Sequence, residues 1–196
     1  MSSPGPLGDN VDKGALRKRL LAERRALPGR DERVERLGHA LLAWLDGRDE
    51  TVVGAYWPIR GEFDPLPALV AWVAGGPERR IGLPVVDQAT RKLDFRAWSP
   101  GCEMHDDAYG IPTPSGTGLL APGLLVVACV GFGPGGVRLG YGGGFYDRTL
   151  AAPGPRPATV GLCFAHGFVP TLAAEAHDIP LDAILTEDGL AWRGPA

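Results

Sequence analysis

Between Arg138 and Arg148 the chain reads Arg-Leu-Gly-Tyr-Gly-Gly-Gly-Phe-Tyr-Asp-Arg. Four glycines, two arginines, three aromatic rings and one carboxylate fall within eleven residues. Ordering glycine costs more conformational entropy than ordering any other residue. A fold that orders several together gains bare backbone, whose N–H groups can approach an anion such as phosphate. Arg138 and Arg148 supply charge for that anion. Asp147 can ligate Mg²⁺, which takes one or two carboxylates together with phosphate oxygens and water. The rings of Tyr141, Phe145 and Tyr146 can sandwich a flat ligand. The segment has neither the Gly-Lys-Ser/Thr of a Walker loop nor the spacing and acidic partner of the dinucleotide fingerprint. It reads as an anion nest; the alternative is a structural hairpin or a close helix–strand crossing.

Other candidates lie far from this loop in sequence. Lys13, Arg17 and Arg24 share one stripe of an expected first helix, at spacings of four and seven. From spacing alone that stripe reads as a solvated basic face. Asp178, in His177-Asp178-Ile179-Pro180, is either a second metal-binding carboxylate or a turn residue. Glu62 follows an expected strand, where a carboxylate can accept hydrogen bonds from the N–H and amino groups of a heterocycle; taken singly it reads as a solvated loop acid. His39, His105 and His166 show no ligand spacing, and Asp106-Asp107 reads as a solvated turn. The three cysteines, Cys102, Cys129 and Cys163, are odd in number and lack CxxC spacing. They read as buried thiols in a reducing cytosol.

The elements that must position these groups follow from periodicity. The chain has 196 residues, 44% hydrophobic and 22% charged, which suits one globular domain. A net charge of −3 argues against nucleic acid as main partner. No stretch is long and apolar enough to span a bilayer. Residues 1–10 read as a disordered leader without the apolar region of a signal peptide, which leaves 11–196 as the domain. A helix is expected over Val11–Leu27, with Asp12 as its cap and Leu16, Leu20 and Leu27 as its apolar stripe. A second carries Val34, Leu37, Leu41, Trp44 and Leu45 on one face. Strands are expected over Val52–Tyr56, Ile81–Val86, Leu93–Trp98, Ala158–Phe164 and Ala183–Thr186. Further helices are expected over Phe63–Val73, capped by Asp64 with Pro65 at its first position, over Phe145–Ala152 and over Leu172–Ala176. Cys102–Gly123 reads as irregular. Leu124–Val130 is a continuous apolar run, as for a central parallel strand covered on both faces. This alternation predicts an α/β fold: a mainly parallel sheet flanked by helices, in a single compact domain with an N-terminal helical pair. Ligands then bind beyond the carboxyl ends of the strands, where the loops after Tyr56, Val130 and Phe164 meet.

Taken in order, the segments resemble a known family. They are Lys13-x-x-Leu16-Arg17 with Arg24-Arg25-x-Leu27, Tyr56 to Asp64, Ile81-x-Leu83-Pro84, Gly110-Ile111-Pro112, the Arg138–Arg148 loop, and His177-Asp178-Ile179-Pro180-Leu181-Asp182 with Thr186-Glu187. Together they resemble the 5-formyltetrahydrofolate cyclo-ligases, or methenyltetrahydrofolate synthetases, over nearly the whole chain after the leader. The resemblance implies ATP- and Mg²⁺-dependent conversion of 5-formyltetrahydrofolate to 5,10-methenyltetrahydrofolate, through a phosphorylated formyl group, with release of ADP and phosphate. It implies ATP-phosphate binding by Lys13, Arg17, Arg138, Gly140, Tyr141, Gly142, Gly143, Gly144, Phe145 and Tyr146. It implies folate recognition by Trp57, Glu62, Phe145 and Tyr146, and metal binding by Asp147 and Asp178. Arg138, Arg148 and Lys13 would stabilise the transferring phosphoryl group. The expected protein is a cytoplasmic monomer acting on a small molecule, with no nucleic-acid or membrane partner. The chain departs from the family's usual pattern at Ala128-Cys129, Gly133, Gly167, Ala173 and Phe145. Two other readings are a non-catalytic folate or nucleotide binder on the same scaffold, and an ATP-dependent ligase for another N-acyl heterocycle.

Overall fold

Asp12 opens the first helix. In the computed structural model, which describes residues 12–195, its carboxylate accepts from the N–H groups of Gly14 (2.8 Å) and Ala15 (3.1 Å), and α1 (Lys13–Arg25) follows. The expected leader at 1–10, and the expected helix start at Val11, lie outside the described residues. Helix α2 (Arg30–Asp46) begins after Gly29, with Asp31 and Glu32 in its first turn, where the helix dipole favours them. Strand β1 (Val52–Gly54) leads to α3 (Leu66–Ala74). Asp64 accepts from Leu66 N at 2.9 Å, so it serves the helix start as its sequence position implied. β2 (Arg80–Val86) and β3 (Leu93–Trp98) follow.

The segment expected to be irregular holds three short strands: β4 (Met104–Asp106), β5 (Pro112–Pro114) and β6 (Leu119–Leu120). Prolines and glycines interrupt them, so no alternation long enough to register survives. β7 (Leu124–Ala128) is next. β8 (Gly131–Phe132) and β9 (Arg138–Leu139) pair across a 3-10 turn at Pro134–Gly136. Helix α4 (Phe145–Leu150), β10 (Ala158–Leu162), β11 (Ala183–Thr186) and β12 (Gly189–Arg193) complete the chain. Leu172–Ala176 is not helical. There Asp178 Oδ2 accepts from Glu175 N at 2.9 Å, so a side chain takes a donor that a helix would need.

The main sheet has the order β12-β11-β10-β7-β1-β2-β3-β6. Its five central strands are mutually parallel; β12 and β3 run antiparallel to them on the two sides, and β6 pairs antiparallel with β3 at the far edge. β7 shows why the centre is buried on both sides. Leu124 and Val126 enter a cluster with Leu37, Leu41 and Leu69 from α2 and α3. Leu125 and Val127 face the other way, into a cluster with Phe95 and Leu150. α1 belongs to neither. Its Leu16 and Leu20 join a third cluster with Val130, Val137, Leu139 and Leu172 at the carboxyl end of the sheet. The N-terminal helical pair therefore divides its labour: α2 covers the sheet, and α1 covers the rim from which the glycine loop leaves.

Candidate functional site

A cleft of about 860 Å³ opens at that rim. It is walled by α1, the loop after β1, the end of β2, the turn at Asp107–Ile111, the glycine loop and the segment around Asp178.

The glycine loop is one wall. Arg17 Nε donates to the Gly140 carbonyl at 2.7 Å, and the Arg148 guanidinium donates to the Gly143 carbonyl. Two loop carbonyls are thus turned towards arginines. Among the described residues, the N–H groups of 140–144 donate to no protein acceptor. Glycine is required at two turns: Gly142 has φ +92°, and Gly144 has φ +64° as it enters α4. Tyr146 adds a buried hydroxyl without a partner among the described residues, and burial pushes its pKa well up, against the pull of Arg138.

Cations and carboxylates alternate along this end of the cleft. Lys13 Nζ lies 2.8 Å from Asp178 Oδ2 and 2.9 Å from Glu175 Oε1. Burial opposes the Lys13 ammonium, but the hydrogen bonds to Asp178 and Glu175 outweigh it and its pKa is raised. Burial likewise opposes the Asp178 carboxylate, but the Glu175 N–H and Lys13 prevail and its pKa is lowered. Arg138 Nη2 lies 3.0 Å from Asp147 Oδ2, and Asp147 Oδ1 accepts from Ile179 N at 3.3 Å. Asp147 and Asp178 thus wall the same cleft and are joined through the chain at residue 179. An oxygen-only pair suits a hard cation such as Mg²⁺. Among the described residues no group of three or more His, Cys, Asp or Glu side chains forms a metal cluster, so other ligands would come from phosphate and water.

The opposite end is built differently. Glu62 is 8% exposed, and its Oε2 accepts from Ile59 N at 2.8 Å. Burial raises its pKa, against the opposing pull of the Ile59 N–H, Tyr141, Arg24 and Arg60. Tyr56 stands beside it, buried, with its hydroxyl donating to the Phe63 carbonyl at 2.8 Å. Trp57 lines the same end. Two arginines beside the glycine loop have strained backbones: Arg60 (φ +51°), which lines the cleft, and Arg91 (φ +55°) are the non-glycine residues with left-handed φ in the described chain. Each sets its guanidinium over a ring of the glycine loop, Arg60 over Tyr141 at 5.5 Å and Arg91 over Phe145 at 5.4 Å.

Of the residues singled out from sequence, Lys13, Arg17, Trp57, Glu62, Arg138, residues 140–146, Asp147 and Asp178 all line this cleft. Arg148 does not. Its guanidinium is committed to the carbonyls of Gly143 and Arg91 (3.1 Å to the latter) and stacks on Phe145, so it braces the loop from behind. The expectation that it meets the transferring group is corrected accordingly. The basic stripe is also not a solvated face, since Arg24 is 3% exposed and all three cations point inward. Glu175, Arg60 and Tyr109 also wall the cleft and carried no sequence signal strong enough to select them. Tyr109 alone offered a hint, an aromatic ring beside Gly110 in a segment with few others; it meets Phe145 edge-on at 5.8 Å.

Known proteins resemble this chain over most of its length. A 5-formyltetrahydrofolate cyclo-ligase from Mycolicibacterium smegmatis is 28% identical over 202 residues, covering 89% of this chain and 93% of the relative. One from Escherichia coli is 32% identical over 142 residues, covering 68% and 76%. The solved 5,10-methenyltetrahydrofolate synthetase of Aquifex aeolicus superposes with a TM-score of 0.72 at 30% identity, covering 91% of each chain. That of Mycoplasma pneumoniae also reaches 0.72, at 22% identity, over 90% of this chain and 99% of its own. The model of the 5-formyltetrahydrofolate cyclo-ligase family matches residues 9–187, a span that takes in every wall of the cleft, and the chain belongs to that family.

Proposed function

We propose that this enzyme converts 5-formyltetrahydrofolate to 5,10-methenyltetrahydrofolate at the expense of ATP. The observation that carries the reading is the row of bare N–H groups at 140–144, flanked by Lys13, Arg17 and Arg138, in the same cleft as a buried carboxylate at Glu62. The amides and cations suit a triphosphate. Glu62 suits the N–H and amino donors of a reduced pterin, and Trp57, Phe145 and Tyr146 suit its faces.

The chemistry needs an activator because a formamide oxygen is a poor leaving group. The formyl oxygen attacks the γ-phosphorus of ATP and ADP leaves. The second folate nitrogen then adds to the formyl carbon and releases its proton to water or to the departing phosphate, and the C–O bond breaks as phosphate leaves. No protein nucleophile is required. Lys13 and Arg138 balance charge on the transferring group, the loop amides fix its oxygens, and the aromatic walls keep the formyl group in line. Asp147 and Asp178 would hold Mg²⁺, which when bound neutralises phosphate charge. The substrate is a small molecule, and no described helix is long and apolar enough to cross a membrane.

Incubation with 5-formyltetrahydrofolate, Mg²⁺ and ATP tests the reading. Methenyl absorbance in the near ultraviolet is expected to rise only with nucleotide, with one ADP per product. Folate binding without ATP-dependent product would overturn it, as would turnover restricted to a non-folate N-acyl heterocycle.

A further inference from the structure

Arg24 has no task in the reading above, yet it is the one buried cation among the described residues. It leaves α1 seven residues after Arg17. Its Nη2 donates to the Tyr141 hydroxyl at 2.7 Å and to the Arg60 carbonyl at 3.1 Å. Its Nε has no acceptor among the described residues. The same side chain borders a void of about 10 Å³, also walled by Glu62 and Tyr56. That is about the volume at which a cavity can hold one water; its other walls are Phe63, Cys129, Leu162, Cys163 and Phe164, so such a water would find its partners on Arg24, Glu62 and Tyr56.

These observations converge on one side chain. Tyr141 belongs to the glycine loop, Arg60 and Glu62 to the loop after β1. We propose that Arg24 is a positioning residue: its guanidinium fixes the Tyr141 hydroxyl and the Arg60 carbonyl directly, and the Glu62 carboxylate through one buried water, so that the nucleotide wall and the pterin acceptor are set from one point. The inference rests on the functional reading above for the identity of the two ligands. The planar fork explains why arginine stands here. Two acceptors lie on its Nη2, and Nε, which has no protein acceptor among the described residues, points its N–H in a separate direction for the water, a set that a lysine ammonium cannot reproduce from the same stem. The hold on Glu62 is shared. Arg24 comes from α1, Tyr141 from the glycine loop, and Arg60 and Tyr56 from its own segment, with Cys129 and Tyr146 facing it from the ends of β7 and α4.

Three measurements test the proposal. Arg24→Lys keeps the charge and loses the fork. Its folate KM is expected to rise at least tenfold with kcat within threefold of wild type, whereas a KM within twofold overturns the role. Arg24→Met loses both charge and fork. In folded Arg24→Met, a ¹³C-carboxyl titration of Glu62 is expected to move to higher pH, and an unmoved titration overturns the role without reference to turnover. Should the Met variant not fold, the Lys variant decides. A crystal structure of the wild-type protein is expected to show water within hydrogen-bond distance of Arg24 Nε, and a dry void removes the link to Glu62. A wild-type protein that forms no methenyl product would end the functional reading instead, and the Glu62 titration would still judge Arg24.

Discussion

The two ends of the cleft bury charge in opposite ways. At the proposed nucleotide end, Lys13 and Arg138 rest on the carboxylates of Asp178 and Asp147. At the proposed pterin end, Glu62 is buried without a salt bridge among the described residues and is held by a backbone N–H. The first arrangement stores cations on partners that a phosphate oxygen can replace, so the wall is ready before the ligand arrives. The second keeps one acceptor in one place, with its charge only partly compensated until a donor docks. The electrostatics follow: Asp178 is shifted down and Glu62 up, although both are carboxylates in one cavity.

This contrast breaks most sharply at Arg138. Arg138→Ala is expected to raise the barrier by ~3 kcal/mol, about a hundredfold in rate. Single-turnover formation of the methenyl product would measure it. Folate affinity should stay within about threefold, since Glu62 is untouched; a parallel loss of folate affinity would mean that the two ends are not separate.

Glu62→Gln comes next. Losing a hydrogen bond to a charged acceptor costs roughly 1.5–3 kcal/mol, or ten- to a hundredfold in kcat/KM for folate. The pH profile sharpens the point. Glu62 has a raised pKa, so it takes up its proton at a pH where an ordinary glutamate, near 4.3, is still ionised. Folate kcat/KM should therefore fall along an acidic limb above that value, and the limb should vanish in Glu62→Gln. The stability term has the opposite sign, because burying the ionised form costs the fold: relative to wild type, Glu62→Gln should not lose stability at neutral pH. The Lys13–Asp178 pair behaves otherwise. With Asp178 lowered, its contribution is present above the ordinary aspartate value of about 3.9 and is lost as pH falls through the depressed one. With Lys13 raised, it is lost only as pH rises beyond about 10.4. Nucleotide affinity should then stay level across the Glu62 limb.

The smallest effect is expected at Lys13. The two side chains of its pair with Asp178 are 19% and 18% exposed in an open cleft, and Asp178 keeps the Glu175 N–H when Lys13 is removed. Lys13→Met should change stability by under about 1 kcal/mol. Its signature is a fall of about fivefold in kcat/KM for ATP with folate KM unchanged, read by initial rates at fixed folate.

How much of this could be read beforehand depended on range along the chain. Asp12 caps α1 and Leu124–Ala128 forms the central strand because the reasons are local: a side-chain acceptor beside free N–H groups, and an unbroken apolar run. The glycine loop announced itself because its cost is local too. The direction of the basic stripe was not legible. Lys13, Arg17 and Arg24 turn inward because their acceptors lie 165, 123 and 117 residues away, and periodicity alone gives only the common solvated arrangement. The family resemblance, not spacing, moved Lys13 and Arg17 to the nucleotide, and it left Arg24 without a role. Arg148 misled for a related reason. Its charge and nearness in sequence suggested the ligand, while the carbonyls of Gly143 and Arg91 capture it. The strand pairs β4–β5 and β8–β9 were missed because two or three residues carry no measurable period.

Helix α1 also acts as a ruler. With a rise of about 1.5 Å per residue, it sets Lys13 and Arg24 about 16 Å apart while Leu16 and Leu20 seat it on the rim. One extra residue inserted between Arg17 and Leu20 would rotate the head of the helix by about 100° relative to its tail. Either Lys13, Leu16 and Arg17 or Leu20 and Arg24 would then lose their seat. Phase along this helix is therefore as tightly specified as any single side chain on it.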